Sequence, residues 1–135
     1  MTKNKIKVLT SKLGFDIHNR GITVVNVGLR DAGMEVIFIG NQFPGQIVEA
    51  AIQEDADVIG VSILSSTYMD YLSELTSLMK EKEVRDKMLL VGGIVLPDDV
   101  PAIKEMGVDE YFPPGTSLPV ITSYILQNQA RESAS

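Results

Sequence analysis

Short runs of aliphatic and β-branched residues alternate along the chain with longer stretches of helical period, the pattern of a parallel sheet covered by helices on both faces. The apolar runs predict strands over residues 5–10, 35–39, 58–62, 88–91 and 110–112. Ile22, Val25, Leu29 and Ala32 recur at helical spacing, with Gly33 as a left-handed stop. Pro44 opens a second helix whose stripe is Ile47, Val48, Ala51 and Ile52, and Tyr71, Leu72, Leu75, Leu78 and Met79 form the stripe of a third. A fourth helix is predicted over 98–106, ending at Gly107. A fifth begins after Thr116 or Ser117, has Pro119 in its first turn and fades into a polar tail over 127–135.

Five βα units in one domain, 1–135, point to an α/β, flavodoxin-like, doubly wound parallel sheet of order 2-1-3-4-5, a Rossmann-like arrangement. Such sheets bind ligands beyond the carboxyl ends of their strands, near the switch between the first and third strands. Four segments with candidate chemistry fall on that rim. KLGFDIHNRG over 12–21 follows the first strand, and Ser62-Ile-Leu64 follows the third. Gly92-Gly93 follows the fourth, and Pro-Pro-Gly115-Thr116 follows the fifth.

His18 is the chain's one histidine, and Asp16 stands two residues before it, so both side chains can converge from an extended segment. Neutral imidazole is a common metal ligand, and its second nitrogen usually donates to a carboxylate that fixes its orientation; the plainer reading is a solvated loop histidine. One histidine and no cysteine leave too few donors for an ordinary zinc or iron–sulfur site. A metal carried inside a macrocycle, as in a tetrapyrrole-type cofactor, is the more economical idea. Ser62 offers a hydroxyl to a ligand, or is a satisfied strand end, and Leu64 offers an apolar wall. Gly92 and Gly93 permit close approach of a flat ligand, or only a turn. Gly115 and Thr116 precede the last helix, where capping is the competing role. Lys12 and Arg20 read as solvated side chains.

Charge and hydropathy narrow the partners. Eighteen acidic against twelve basic residues give a formal charge of −6 with no basic cluster, which argues against nucleic acid. The apolar runs are far shorter than the roughly 20 residues needed to span a bilayer, and the polar start is unlike a secretory signal. A cytoplasmic protein with no membrane partner is expected.

Taken in order, DxHxxG, SxL and GG on these strand ends resemble the cobalamin-binding domain of coenzyme-dependent mutases and methionine synthase, over nearly the whole chain. The resemblance implies that His18 ligates cobalt from below in place of the cofactor's own base, with Asp16 as its hydrogen-bond partner. It implies that Ser62 and Leu64 line a slot for the displaced nucleotide tail, bordered by Gly92, Gly93, Gly115 and Thr116, and that Gly21 lets the loop turn into the first helix. A first strand so near the start leaves no helical cap, which disfavours a methyl carrier. His18-Asn-Arg-Gly21 and Gly92-Gly-Ile-Val-Leu-Pro97 look most like the acyl-CoA mutases of the methylmalonyl-CoA mutase type. Those enzymes also place a lysine near the histidine–aspartate pair, where Lys12 stands as supporting residue. Ile17 and Asn19 depart from that pattern, which has glycine and aspartate there.

The implied function is the cobalamin-binding small subunit of an adenosylcobalamin-dependent acyl-CoA mutase. Its substrate site would lie on a large barrel subunit, and no residue of this chain would be catalytic beyond ligation of the cofactor. The alternatives are a stand-alone corrinoid carrier or cobalamin-responsive regulator, and a cofactor-free flavodoxin-like interaction domain. A receiver-type phosphoacceptor pocket is disfavoured, because the third strand ends in Ser62 rather than aspartate.

Overall fold

The computed structural model describes residues 5–13, 20–63, 67–84 and 86–134. Five strands, β1 (Lys7–Leu13), β2 (Glu35–Gln42), β3 (Val58–Ile63), β4 (Met88–Gly93) and β5 (Glu110–Phe112), form one parallel sheet in the order β2-β1-β3-β4-β5. The helices are α1 (Arg20–Asp31), α2 (Pro44–Gln53), α3 (Tyr68–Glu81), α4 (Val100–Met106) and α5 (Leu118–Ala134). The expected class and strand order are those observed.

Alternation of side chains along each strand divides the core between the two faces of the sheet. Leu9, Ile59, Val61, Leu89 and Val91 meet α2, α3 and α4 through Ile47, Leu72, Leu75 and Ile103. Val8, Val58, Met88 and Leu90 meet α1 and α5 through Leu29, Ile121 and Ile125. α1 is rich in β-branched residues that disfavour helix intrinsically, and the burial of Ile22, Asn26 and Leu29 overrides that preference.

Helices α1 to α4 all end in the same way, and this fixes which edge of the sheet carries loops free for chemistry. Amides of Met34, Ala56, Val84 and Val108 donate five residues back, to the carbonyls of Leu29, Ala51, Met79 and Ile103, at 2.9–3.1 Å. The residue before each has positive φ: Gly33 at +93°, Asp55 at +52°, Glu83 at +60° and Gly107 at +133°. This is the Schellman stop, which turns the chain tightly into the next strand and tucks an apolar residue under the helix end. The glycine stops were legible in the sequence; Asp55 and Glu83 were not, because neither residue type signals a left-handed turn. Since a side chain in that conformation costs about 1 kcal/mol, Glu83→Gly is expected to stabilise the chain by roughly that amount in urea unfolding. No gain would mean that the Glu83 side chain compensates.

β2, β3 and β4 each end one to three residues later than expected, and three further boundaries differ. β1 starts two residues later and runs three further, so Ser11 and Lys12 are ladder residues; Lys12, expected in solvent, is 3% exposed. Its polar run reads as a loop, but β1 has strands on both sides, and Ser11 Oγ donates to Gly40 O of β2 at 2.9 Å. Gly40, at φ +72°, lies where β2 carries an extra residue relative to β1. Residues 97–99 form a separate 3-10 turn, so α4 begins at Val100. α5 continues through the expected polar tail to Ala134, whose Gln, Ala, Arg and Glu are good helix formers.

Candidate functional site

Parallel pairing brings small and polar residues into adjacent rows on the α1/α5 face of the sheet. One row is Thr10, Gly60 and Leu90; the next, nearer the carboxyl edge, is Lys12, Ser62, Gly92 and Phe112. Deeper in, the same face carries Val8, Val58 and Met88. Large side chains thus fill the gap between sheet and helices at one end and recede at the other. The result is a slot of about 500 Å³ between the sheet and helices α1 and α5. Its depth is walled by Val8, Leu29, Leu90, Ile121 and Ile125, and its mouth by Gly21, Ser62, Gly92 and the turn from Pro113 to Thr116.

The glycines around the slot are of two kinds. Gly93 and Gly115 are demanded by the backbone. A Cβ on Gly93 would lie 2.0 Å from Ile63 O, and φ there is +111°. Gly115, at φ +89°, follows Pro114 in a turn closed by the Thr116 amide on Pro113 O at 3.1 Å, the type II arrangement that favours glycine at its third position. Gly21, Gly60 and Gly92 are different. A Cβ would meet nothing within 4 Å at Gly21, Thr10 Cγ2 at 3.7 Å at Gly60 and Phe112 O at 3.9 Å at Gly92. All three line the slot. A strand-interior glycine is destabilising unless something approaches its backbone closely, so the packing of the chain explains neither Gly60 nor Gly92.

Among the described residues no charged residue lines the slot, and the polar side chains there are Thr10, Ser62 and Thr116. Thr10 Oγ1 donates to Asn26 Oδ1 at 2.8 Å, tying β1 to α1. Thr116 Oγ1 donates back to Pro113 O at 2.6 Å and so belongs to its own turn rather than to a helix cap. Ser62 has no side-chain partner among the described residues. Such a space suits a flat, largely apolar heterocycle, held between glycine backbone and aliphatic walls, with one hydroxyl at the mouth.

The structure therefore brings together Gly21, Ser62, Gly92, Gly93, Gly115 and Thr116 of the expected site. Lys12 stands beside Ser62 by register, buried and already engaged by a neighbour. Asp16, His18 and Leu64 lie outside the described residues. Among the described residues no group of acidic and histidine side chains is arranged to hold a metal ion, and no helix is long and apolar enough to cross a membrane. Sequence reasoning missed Gly60 and Thr10, and the apolar depth that α5 contributes through Ile121 and Ile125. Gly60 carried a signal, since a lone glycine inside the aliphatic run 58–61 marks a close approach.

The tyrosines behind the β4 exit have their own electrostatics. The Tyr68 hydroxyl, on the first residue of α3, donates to the Asp99 carboxylate and accepts from the Leu96 amide at 3.0 Å. Burial, and then the hydrogen bond to Asp99, raise the Tyr68 phenol above its ordinary value, so it is protonated at neutral pH.

The family described as B12 binding domain matches residues 6–120. The chain is 38% identical, over 97% of its length and all of the relative's, to the 2-hydroxyisobutanoyl-CoA mutase small subunit of Aquincola tertiaricarbonis. It is 36% identical, over 83% of its length and 76% of the relative's, to the pivalyl-CoA mutase small subunit of Xanthobacter autotrophicus. Among solved structures, a cobalamin-binding protein from Desulfitobacterium hafniense superposes with a TM-score of 0.78 over 92% of this chain and 59% of that one, at 17% identity, a likeness of fold.

Proposed function

The chain belongs to the B12 binding domain family, and on that premise we propose that it is the cobalamin-binding small subunit of an adenosylcobalamin-dependent acyl-CoA mutase. The observation that carries the reading is the slot flanked by Gly21, Gly60 and Gly92, lined by no charged side chain among the described residues, where the missing side chains leave space that no described protein atom fills. In this reading the slot takes the nucleotide tail of the cofactor, displaced from cobalt, with Ser62 at its mouth and Leu64 beside it. Residues 14–19, which include Asp16 and His18, join β1 to α1 in sequence, and Thr10 of β1 and Gly21 of α1 both line the slot. His18 would be the residue that holds the cobalt, and Asp16 would orient the imidazole through its second nitrogen.

Bound adenosylcobalamin supplies radical chemistry through a breakable cobalt–carbon bond. The chain's share is to grip, orient and shield. Aliphatic walls exclude water from the tail, glycine backbone lets it lie close to the sheet, and the polar mouth sets its register. Substrate recognition would fall to a large barrel subunit. The two small-subunit relatives, matched over 100% and 76% of their own lengths, support a division of labour between two chains.

Assembly with the large subunit tests the reading. Adding adenosylcobalamin and a panel of branched acyl-CoA thioesters is expected to give cofactor-dependent interconversion of one isomeric pair, followed by liquid chromatography. Cobalamin uptake without isomerisation of any thioester, together with recovery of a methyltransferase or a transcription factor as partner, would replace the mutase by a carrier or regulator. The slot has a separate test. Gly60→Val places a strand-favouring side chain in the open space beside Thr10 and is expected to leave urea stability at least at the wild-type level. Cobalamin affinity is expected to drop by about tenfold or more, the cost of a tail that no longer seats. Unchanged affinity would put the tail elsewhere.

A further inference from the structure

Where the chain leaves β4 it enters no helix until the 3-10 turn at Pro97, yet three successive amides are taken. Ile94 N donates to Ile63 O at 3.2 Å, Val95 N to the Tyr111 hydroxyl at 3.1 Å and Leu96 N to the Tyr68 hydroxyl at 3.0 Å. Each phenol is used twice. Tyr111 donates to Gly93 O at 2.6 Å and Tyr68 donates to Asp99. A phenol has one proton to give, so giving it to a carbonyl or carboxylate turns an oxygen lone pair toward the amide. Segment 93–96 is thereby tied to β3, to β5 and to the start of α3 at once. Val95 is buried while Ile94 and Leu96 are more than half exposed, so this segment is held more by its backbone than by its side chains.

That arrangement bears on the slot through the glycine pair. Gly92 forms part of the slot wall and Gly93 carries the carbonyl that Tyr111 holds. Two consecutive glycines have the widest conformational freedom the backbone allows and no side chain to anchor them. A wall built from them keeps its shape only if hydrogen bonds from outside fix the peptide planes.

We propose that Tyr111, assisted by Tyr68 and Asp99, is a positioning residue for the Gly92–Gly93 wall, so that recognition of the cofactor's tail depends on a hydroxyl that does not touch it. The inference rests on the slot being the tail's site.

The test uses the full chain assembled with its large subunit and two probes: cobalamin, and cobinamide, the same corrinoid without the nucleotide tail. Tyr111→Phe keeps the ring and removes only the hydroxyl. It is expected to weaken cobalamin about tenfold, the effect of one hydrogen bond, and to leave cobinamide within about twofold, by spectrophotometric titration. Hydrogen exchange is expected to accelerate at the Val95 amide in Tyr111→Phe and at the Leu96 amide in Tyr68→Phe. The latter variant pulls on the same segment from α3 and serves if Tyr111→Phe folds poorly. A parallel loss for both corrinoids, or faster exchange with unchanged cobalamin affinity, overturns the positioning role. A wild-type assembly that binds cobinamide as tightly as cobalamin overturns the slot reading, and the inference with it.

Discussion

Alanine at Gly93 is expected to destabilise the chain by about 3–5 kcal/mol, whereas alanine at Gly92 leaves stability within about 1 kcal/mol of wild type and acts on the ligand instead. The contrast follows from geometry. At Gly93 the new methyl would be driven to 2.0 Å from Ile63 O, a backbone atom of a buried strand, at a φ of +111° that side chains rarely adopt. Neither partner can give way, because that carbonyl also accepts from the Ile94 amide. At Gly92 the nearest atom is Phe112 O at 3.9 Å, an ordinary contact, and the space beyond belongs to the slot. Urea unfolding of both variants, beside cobalamin titration of Gly92→Ala in the assembled enzyme, separates the two effects. A Gly92→Ala variant that binds cobalamin as wild type would show that nothing approaches this backbone, and one that unfolds like Gly93→Ala would show that both glycines serve the fold.

The second large effect concerns His18. With alanine there, turnover of the assembled mutase is expected to fall by more than the roughly 10–100-fold typical of losing a partner behind a metal ligand, which is the range expected for Asp16→Asn. Electron paramagnetic resonance of the reduced cofactor gives a readout independent of rate. In the wild type, isotopic labelling of histidine nitrogen is expected to change the splitting of the cobalt signal, and in His18→Ala that response is expected to be lost. A wild-type signal indifferent to the label, or uptake and turnover untouched by alanine, would mean that the imidazole is not the lower ligand, and the proposed mutase role would lose its central contact.

The two experiments probe different layers of the proposed site. His18 and Asp16 carry a metal-ligand hypothesis that residue chemistry suggested beside the plainer reading of a solvated loop histidine, and both lie outside the described residues. Gly92 and Gly93 read as an undifferentiated pair, and nothing in the letters says which serves the fold and which the slot. The distinction appears only when β3 is laid beside β4 and Ile63 O comes up against one of them.

The same division runs through the molecule. Period, punctuation and strand order were set locally, by aliphatic runs of strand length, helical stripes and glycine stops at Gly33 and Gly107, because a half-buried strand and an amphipathic helix leave different spacings in the chain. What long-range pairing decided was hidden for an equally physical reason. β1 absorbs Ser11 and Lys12 because strands on both sides satisfy its backbone, and Asp55 and Glu83 accept left-handed turns that the helix ends impose. The slot exists because residues about thirty to fifty positions apart come into rows in which the small ones, Gly60 and Gly92, fall on one face. Sequence alone determined that the chain would build this sheet and bring its rim chemistry to one edge. Tertiary structure alone decided where that edge opens, since a cavity is made by what distant side chains fail to fill.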